Sequence, residues 1–224
     1  MKLVIKHLSI IALLFVSTVL YSQKTKLKEY SHTEFFKMIS EEKDSVFKLE
    51  DAFIAIKKQD TAFAYKIVDG YLTFGTNDSI VIDKEIQLKN VHFEHLNDEE
   101  GQALPFLVFN KKVRILDATS LLFFHSTFNA DLEFDTSVMG NDLINSLGNT
   151  YENYASDIGF INCVFNKNVL VDVGSIENPS SIQFNLFYSE FNAENERFDV
   201  SISTNSVNET HFEENIFKGK GYTT

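Results

Sequence analysis

Apolar side chains return along this chain in a phrase that fits neither a helix nor a plain strand. Phe160 and Phe165 stand five residues apart, Cys163 lies two before the second of them, and Val169 and Val171 follow at strand alternation. The same frame fits Leu88, Val91 and Phe93; Leu104, Leu107 and Phe109; Phe123, Ser126 and Phe128; Leu186, Ser189 and Phe191; and Val207, Thr210 and Phe212. Leu49, Ala52 and Ile54 make a first copy. Asn follows the second anchor at Asn110, Asn129, Asn166 and Asn192, and an apolar pair comes next: Val113 and Ile115, Leu132 and Phe134, Val169 and Val171, with the fourth copy slipping to Phe198. Asp135, Asp172 and Asp199 close three copies. A helix repeats its apolar positions at three and four, and a strand at two. A unit too short to bury its own apolar face, repeated along the chain, predicts a solenoid in which each coil covers the next.

Five-residue steps with one large and one small inward side chain suit a coil whose corners bend the backbone every few residues. In this the chain resembles the pentapeptide-repeat proteins. The resemblance implies a right-handed, four-sided β-helix with Leu or Phe at the central inward position and a small residue two before it. Val91, Ser126, Cys163, Ser189 and Thr210 fit that small position, and Leu107 is larger than the pattern expects. The resemblance spans residues 49–217 without uninterrupted runs of fives, and the Val-x-Val-Asp tail reads as an ordinary parallel β-helix strand. The expected fold is all-β: a single-stranded right-handed parallel β-helix with a short N-terminal capping helix.

Three departures from the repeat are expected. Residues 23–30 read as a loose basic segment, and residues 31–43 as a helix: Ser31 and Glu34 make a capping box, and Phe35, Met38 and Ile39 an apolar stripe. Such a helix would cover the open end of a solenoid. Residues 46–74 are apolar but irregular, with Asp69-Gly70 as a turn signal, and predict one poorly marked coil between the rungs at Ile54 and Phe93. Residues 97–101 predict an acidic turn, and residues 136–156 an excursion from the wall with a helical turn over 142–147. The sequence finishes at Thr224 with no closing helix or polar coil. That predicts a solenoid continuing beyond this sequence or, failing that, end-to-end self-association.

Composition adds a compartment. Residues 1–22 read as a secretory signal: Lys2 and Lys6 start it, an apolar run fills residues 8–20, and Tyr21-Ser22 precedes Gln23 at the cleavage site. The apolar run is too short to span a membrane comfortably, so the mature chain is expected to have no integral membrane segment and to be exported to the periplasm, cell surface or medium. The domain reading is then a signal at residues 1–22, an N-terminal segment with its helix at 23–45, and a solenoid at 46–224, incomplete at the C-terminus. The formal charge is −12, with 32 acidic and 20 basic residues. Such a surface repels nucleic-acid phosphate, and no nucleic acid is expected as a partner. The 22 Phe among 224 residues fit stacked inward anchors.

No cluster announces chemistry. The Asn column is expected to hold corners together, each Asn bonding its neighbour one coil away. Asp135, Asp172 and Asp199 are expected in equivalent places, with the large insertion separating the first two; calcium or a cationic sugar is the minority reading and water-facing turns the main one. His92 and His211, each just before an anchor, are expected to point outward. His92 and His95 are close in sequence but imply no third ligand, solvated histidine is the expectation for His32 and His125 as well, and Cys163 reads as a small core residue. No catalytic, cofactor-binding or metal-ligating residue is assigned. The function expected is a non-enzymatic exported scaffold that binds a protein or glycan. A β-helical polysaccharide lyase or hydrolase is the alternative, weakened by the presence of only two arginines, Arg114 and Arg197, to grip a polyanion.

Overall fold

The computed structural model describes residues 27–55, 65–68, 71–74, 79–93, 106–119, 121–135, 156–173, 182–193, 199–204, 207 and 209–219. The predicted signal, the Asp69-Gly70 turn, the acidic turn at 97–101, His95 and all but the last residue of the 136–156 excursion lie outside them.

Strands of two to ten residues build three parallel sheets. One holds seven: β1 (Lys28–Ser31), β2 (Val46–Ala55), β6 (Glu85–Phe93), β8 (Val113–Thr119), β11 (Leu132–Asp135), β14 (Val169–Val173) and β17 (Val200–Thr204). A second holds six: β5 (Ile80–Ile82), β7 (Leu107–Phe109), β10 (Thr127–Phe128), β13 (Val164–Phe165), β16 (Glu190–Ala193) and β19 (Ile216–Gly219). The third holds four: β9 (Leu122–Phe124), β12 (Ser156–Ile161), β15 (Ile182–Phe187) and β18 (Glu209–Glu213). From β9 onward the chain visits the four-, six- and seven-stranded sheets in turn, each strand landing parallel on the one from the previous visit.

This connectivity of parallel strands is compatible with a β-helix. An antiparallel pair, β3 (Tyr65–Val68) with β4 (Tyr71–Phe74), stands apart. It takes the place of the coil expected between Ile54 and Phe93, which are in fact direct neighbours in register.

The interior is stacked phenylalanine. Phe109, Phe128, Phe165, Phe191 and Phe217 form one column on the six-stranded sheet, with successive ring centroids 5.0, 5.1, 4.8 and 4.6 Å apart. Phe123 and Phe160 stack at 5.4 Å on the four-stranded sheet and meet the first column edge-on, Phe160 lying 5.5 Å from Phe165. Offset stacking along a column and edge contacts between columns are the two favourable arrangements of aromatic rings. Close packing is felt at Gly159, where a Cβ would lie 2.4 Å from the carbonyl oxygen of Asn185 on the next coil.

One end is closed. Helix α1 (His32–Glu41) begins at Ser31, which accepts from the Glu34 N–H while the Glu34 carboxylate accepts from the Ser31 N–H, as the capping box predicts. Phe35, Phe36 and Ile39 are buried, and Met38 packs partly against the core. Of the segment expected to be loose, residues 28–30 are not: β1 pairs along Ala52–Ala55 and covers the sheet edge there.

Candidate functional site

The corners between faces carry the polar side chains that recur from coil to coil. Between the six- and seven-stranded sheets, Asn166 donates to Asn129 and Asn129 to Asn110, each at 2.8 Å, and Asn110 donates to Asp83 at 2.6 Å. Asn110, Asn129 and Asn166 thus form the ladder between neighbouring strands expected of the Asn column. Two residues on, Asn168 Nδ2 donates to Asp131 at 3.0 Å, and the Asp199 N–H donates to Asn168 at 2.9 Å. Asp199 therefore belongs to this corner, not to a column with Asp172, whose partner in register is Ser203.

A second kind of corner has one backbone signature. Asp51, Asn90, Asp117, His125, Asn162, Tyr188 and Glu214 all adopt positive φ, between 46° and 56°. A small side chain follows in each case: Ala52, Val91, Ala118, Ser126, Cys163 and Ser189 are buried, and Asn215 ends the series. Ser126 and Ser189 donate their hydroxyls to the carbonyls of Phe124 and Phe187, at 3.1 and 3.0 Å, and Cys163 Sγ lies 3.6 Å from the Ile161 oxygen in the same relation. A hydroxyl or thiol at this place satisfies a carbonyl that the bend turns inward. Cys163 is accordingly a core residue, its thiol pushed up to about 12 by burial, which removes it as a nucleophile.

This shared signature accounts for the copies the sequence mis-phased. Phe123, Ser126 and Phe128 align with Phe160, Cys163 and Phe165 and with Leu186, Ser189 and Phe191, as read. The last copy is Phe212, Asn215 and Phe217: Phe212 pairs with Leu186 and Phe217 with Phe191, one step later than the frame at Val207. Leu49, Ala52 and Ile54 do match Leu88, Val91 and Phe93, but both sets lie on the seven-stranded sheet beside Ile115 and Ala118. The residue facing Phe109 is Ile82.

The histidines divide. His92, expected outward, is buried at 1% exposure in register between Phe53 and Thr119; its Nε2 lies 3.0 Å from Asn90 Oδ1, and desolvation lowers its pKa to about 3. His211 is exposed beside Glu209, at 3.2 Å. His32 is buried with Nδ1 3.2 Å from the Ala55 oxygen, and His125 bonds Asn162 at 2.9 Å.

The carboxylates that do converge are Asp117, Asp135 and Asp172. Asp135 and Asp172 are paired directly in register, not separated as the sequence suggested. Burial raises the Asp117 carboxyl, Asp135 raises it further, and Lys89 opposes both. Oδ1 of Asp117 and of Asp172 are buried without a hydrogen-bond partner. Asp117 can therefore retain a proton that an isolated carboxylate would release. Among the described residues, however, no three His, Cys, Asp or Glu side chains are arranged to hold a metal ion. Asp117 was not singled out in the sequence; the Asp-Ala corner it shares with Asp51-Ala52 was its one available signal.

No described helix is long and apolar enough to cross a membrane. No family model, curated protein or solved structure matches the chain.

Proposed function

We propose that the three sheets are the walls of one right-handed parallel β-helix, exported by the signal at residues 1–22, that serves as a non-enzymatic scaffold binding a protein or glycan. The observation that carries this reading is the use of recurring polar residues: Asn110, Asn129, Asn166 and Asn168 each bond a neighbouring coil. Side chains committed to the wall are unavailable for proton transfer or a nucleophile. Right-handedness follows from the strong preference of parallel crossover connections. The test is to incubate the mature protein with soluble polysaccharides and assay reducing ends and unsaturated products. The scaffold reading expects neither; turnover abolished by Asp117→Asn would replace it with a carbohydrate-active enzyme. A full-length chain found in the cytosol with residues 1–22 attached would overturn export.

A further inference from the structure

The outward side chains of the seven-stranded sheet change sign along the coil axis. Across the strands, one row reads Lys48, Gln87, Arg114, Glu133, Leu170 and Ser201. The adjacent row reads Glu50, Lys89, Leu116, Asp135, Asp172 and Ser203. The first rung balances Lys48 against Glu50, the second and third are basic through Lys89 and Arg114, and the next two are acidic through Glu133, Asp135 and Asp172. Over β2, β6 and β8 these side chains border a groove of about 140 Å³, lined by Lys48, Glu50, Gln87, Lys89, Arg114 and Leu116. Its wall carries three cations and one carboxylate in a chain of formal charge −12.

We infer that this groove binds one uronate unit of an acidic glycan whose chain runs on along the coil axis. Four observations fix the occupant. The cations stand on three consecutive rungs spaced ~4.8 Å, so they follow a linear anionic ligand over about 10 Å. The groove is smaller than the roughly 300–1,000 Å³ that encloses a whole small molecule, which suits a single unit of a longer chain. Gln87 and Glu50 supply amide and carboxylate groups for sugar hydroxyls, and Leu116 an apolar wall for a ring face. Lys48, Glu50, Lys89 and Arg114 are exposed, so the ligand meets them without rearrangement of the core. Arg114 Nε is anchored by Glu133 at 3.1 Å, and Lys112 holds the other oxygen of that carboxylate at 2.9 Å, which fixes the guanidinium at the groove's edge. Counting arginines hid this site, because two of its three cations are lysines brought together by register.

The inference rests on the scaffold reading, since it describes binding without cleavage. It is tested on the intact mature chain by calorimetric titration with a short oligogalacturonate, with the methyl ester of the same oligomer as control. The free acid is expected to bind and to weaken as ionic strength rises; the ester is expected to bind at least about tenfold more weakly. The double variant Lys48→Gln, Lys89→Gln is expected to lose about tenfold in affinity for the acid while its thermal midpoint stays put, both side chains being exposed. No binding of the acid, equal binding of the ester, or an unaffected double variant overturns the groove. Polyglutamate binding as tightly as the oligogalacturonate overturns the glycan assignment. Unsaturated product in the same mixture overturns only the non-enzymatic reading, so the two failures are distinguishable.

Discussion

The two ends of the stack use the same kinds of residue and treat them oppositely. At the first coil, β1 covers the edge of β2 and α1 lays Phe35 against Phe36, Phe47 and Phe93, with ring centroids 5.1, 6.1 and 5.7 Å away. At the last described coil, β17, β18 and β19 are each the outermost strand of their sheet, and Phe212, Ile216 and Phe217 are 54, 53 and 63% exposed. Phe217 has the same rung position as Phe165, which is 1% exposed. Burial in this architecture is thus a property of the neighbouring coil rather than of the residue. His92 and His211 occupy look-alike sequence contexts but lie on different sheets, His92 in register with Phe53 and Thr119 and His211 with Asn185, and only the first is buried.

The strongest way to break the contrast is to remove the plug at the closed end. Phe35→Ala deletes a ring that is 5% exposed and in contact with three others, and truncations of this kind cost about 3–5 kcal/mol. Urea unfolding should show a loss of that size. A loss below about 1 kcal/mol, within the range of surface changes, would mean that α1 lies on the end without closing it.

The next effect is a pH dependence that only the closed half should show. The folded-state pKa of His92 is depressed to about 3 from 6.5 by burial. Between those values the unfolded chain binds a proton that the folded chain refuses. The histidine's contribution is therefore full above pH 6.5 and is lost as pH falls from there toward 3. Asp117 acts in the opposite sense: its raised carboxyl favours the folded state at low pH, and that contribution fades as pH rises through its folded pKa. His92→Gln should flatten the stability profile between pH 6.5 and about 3. Equal profiles for wild type and His92→Gln would show that the ring is hydrated in solution.

The middle coils were legible from the sequence because three successive copies, at Phe123, Phe160 and Leu186, begin at the same corner with the same spacing. The copies at Leu49, Leu88 and Val207 were placed on the wrong face or one step early. One corner rule recurs at six of the seven described positive-φ residues, Asp117 being the exception: a left-handed residue, a smaller side chain after it and a large one two later, and a linear sequence does not say which corner it marks. β1 left no apolar trace: Lys28, Glu29, Tyr30 and Ser31 join the sheet through backbone pairing, for which alternation is not required. The Asn ladder was readable because a corner leaves its side chain little else to bond. The basic groove was not, since Lys48, Lys89 and Arg114 are far apart in sequence and meet only through register.

The smallest effect belongs to the open end. Phe217 stacks on Phe191 at 4.6 Å with the planes within 5°, but no described residue covers its other face. An aromatic pair contributes about 0.5–1.5 kcal/mol beyond area burial, and a ring 63% exposed has little area left to lose. Phe217→Ala should therefore cost about 1 kcal/mol or less, a fraction of the loss at Phe35. Amide exchange should match, with β19 opening at far lower free energy than β13 at the centre of the same sheet. If Phe217→Ala instead costs as much as Phe35→Ala, something covers the last rung. Its dependence on protein concentration then separates the two covers: a second copy makes the cost grow with concentration, and a continuation of the same chain leaves it constant.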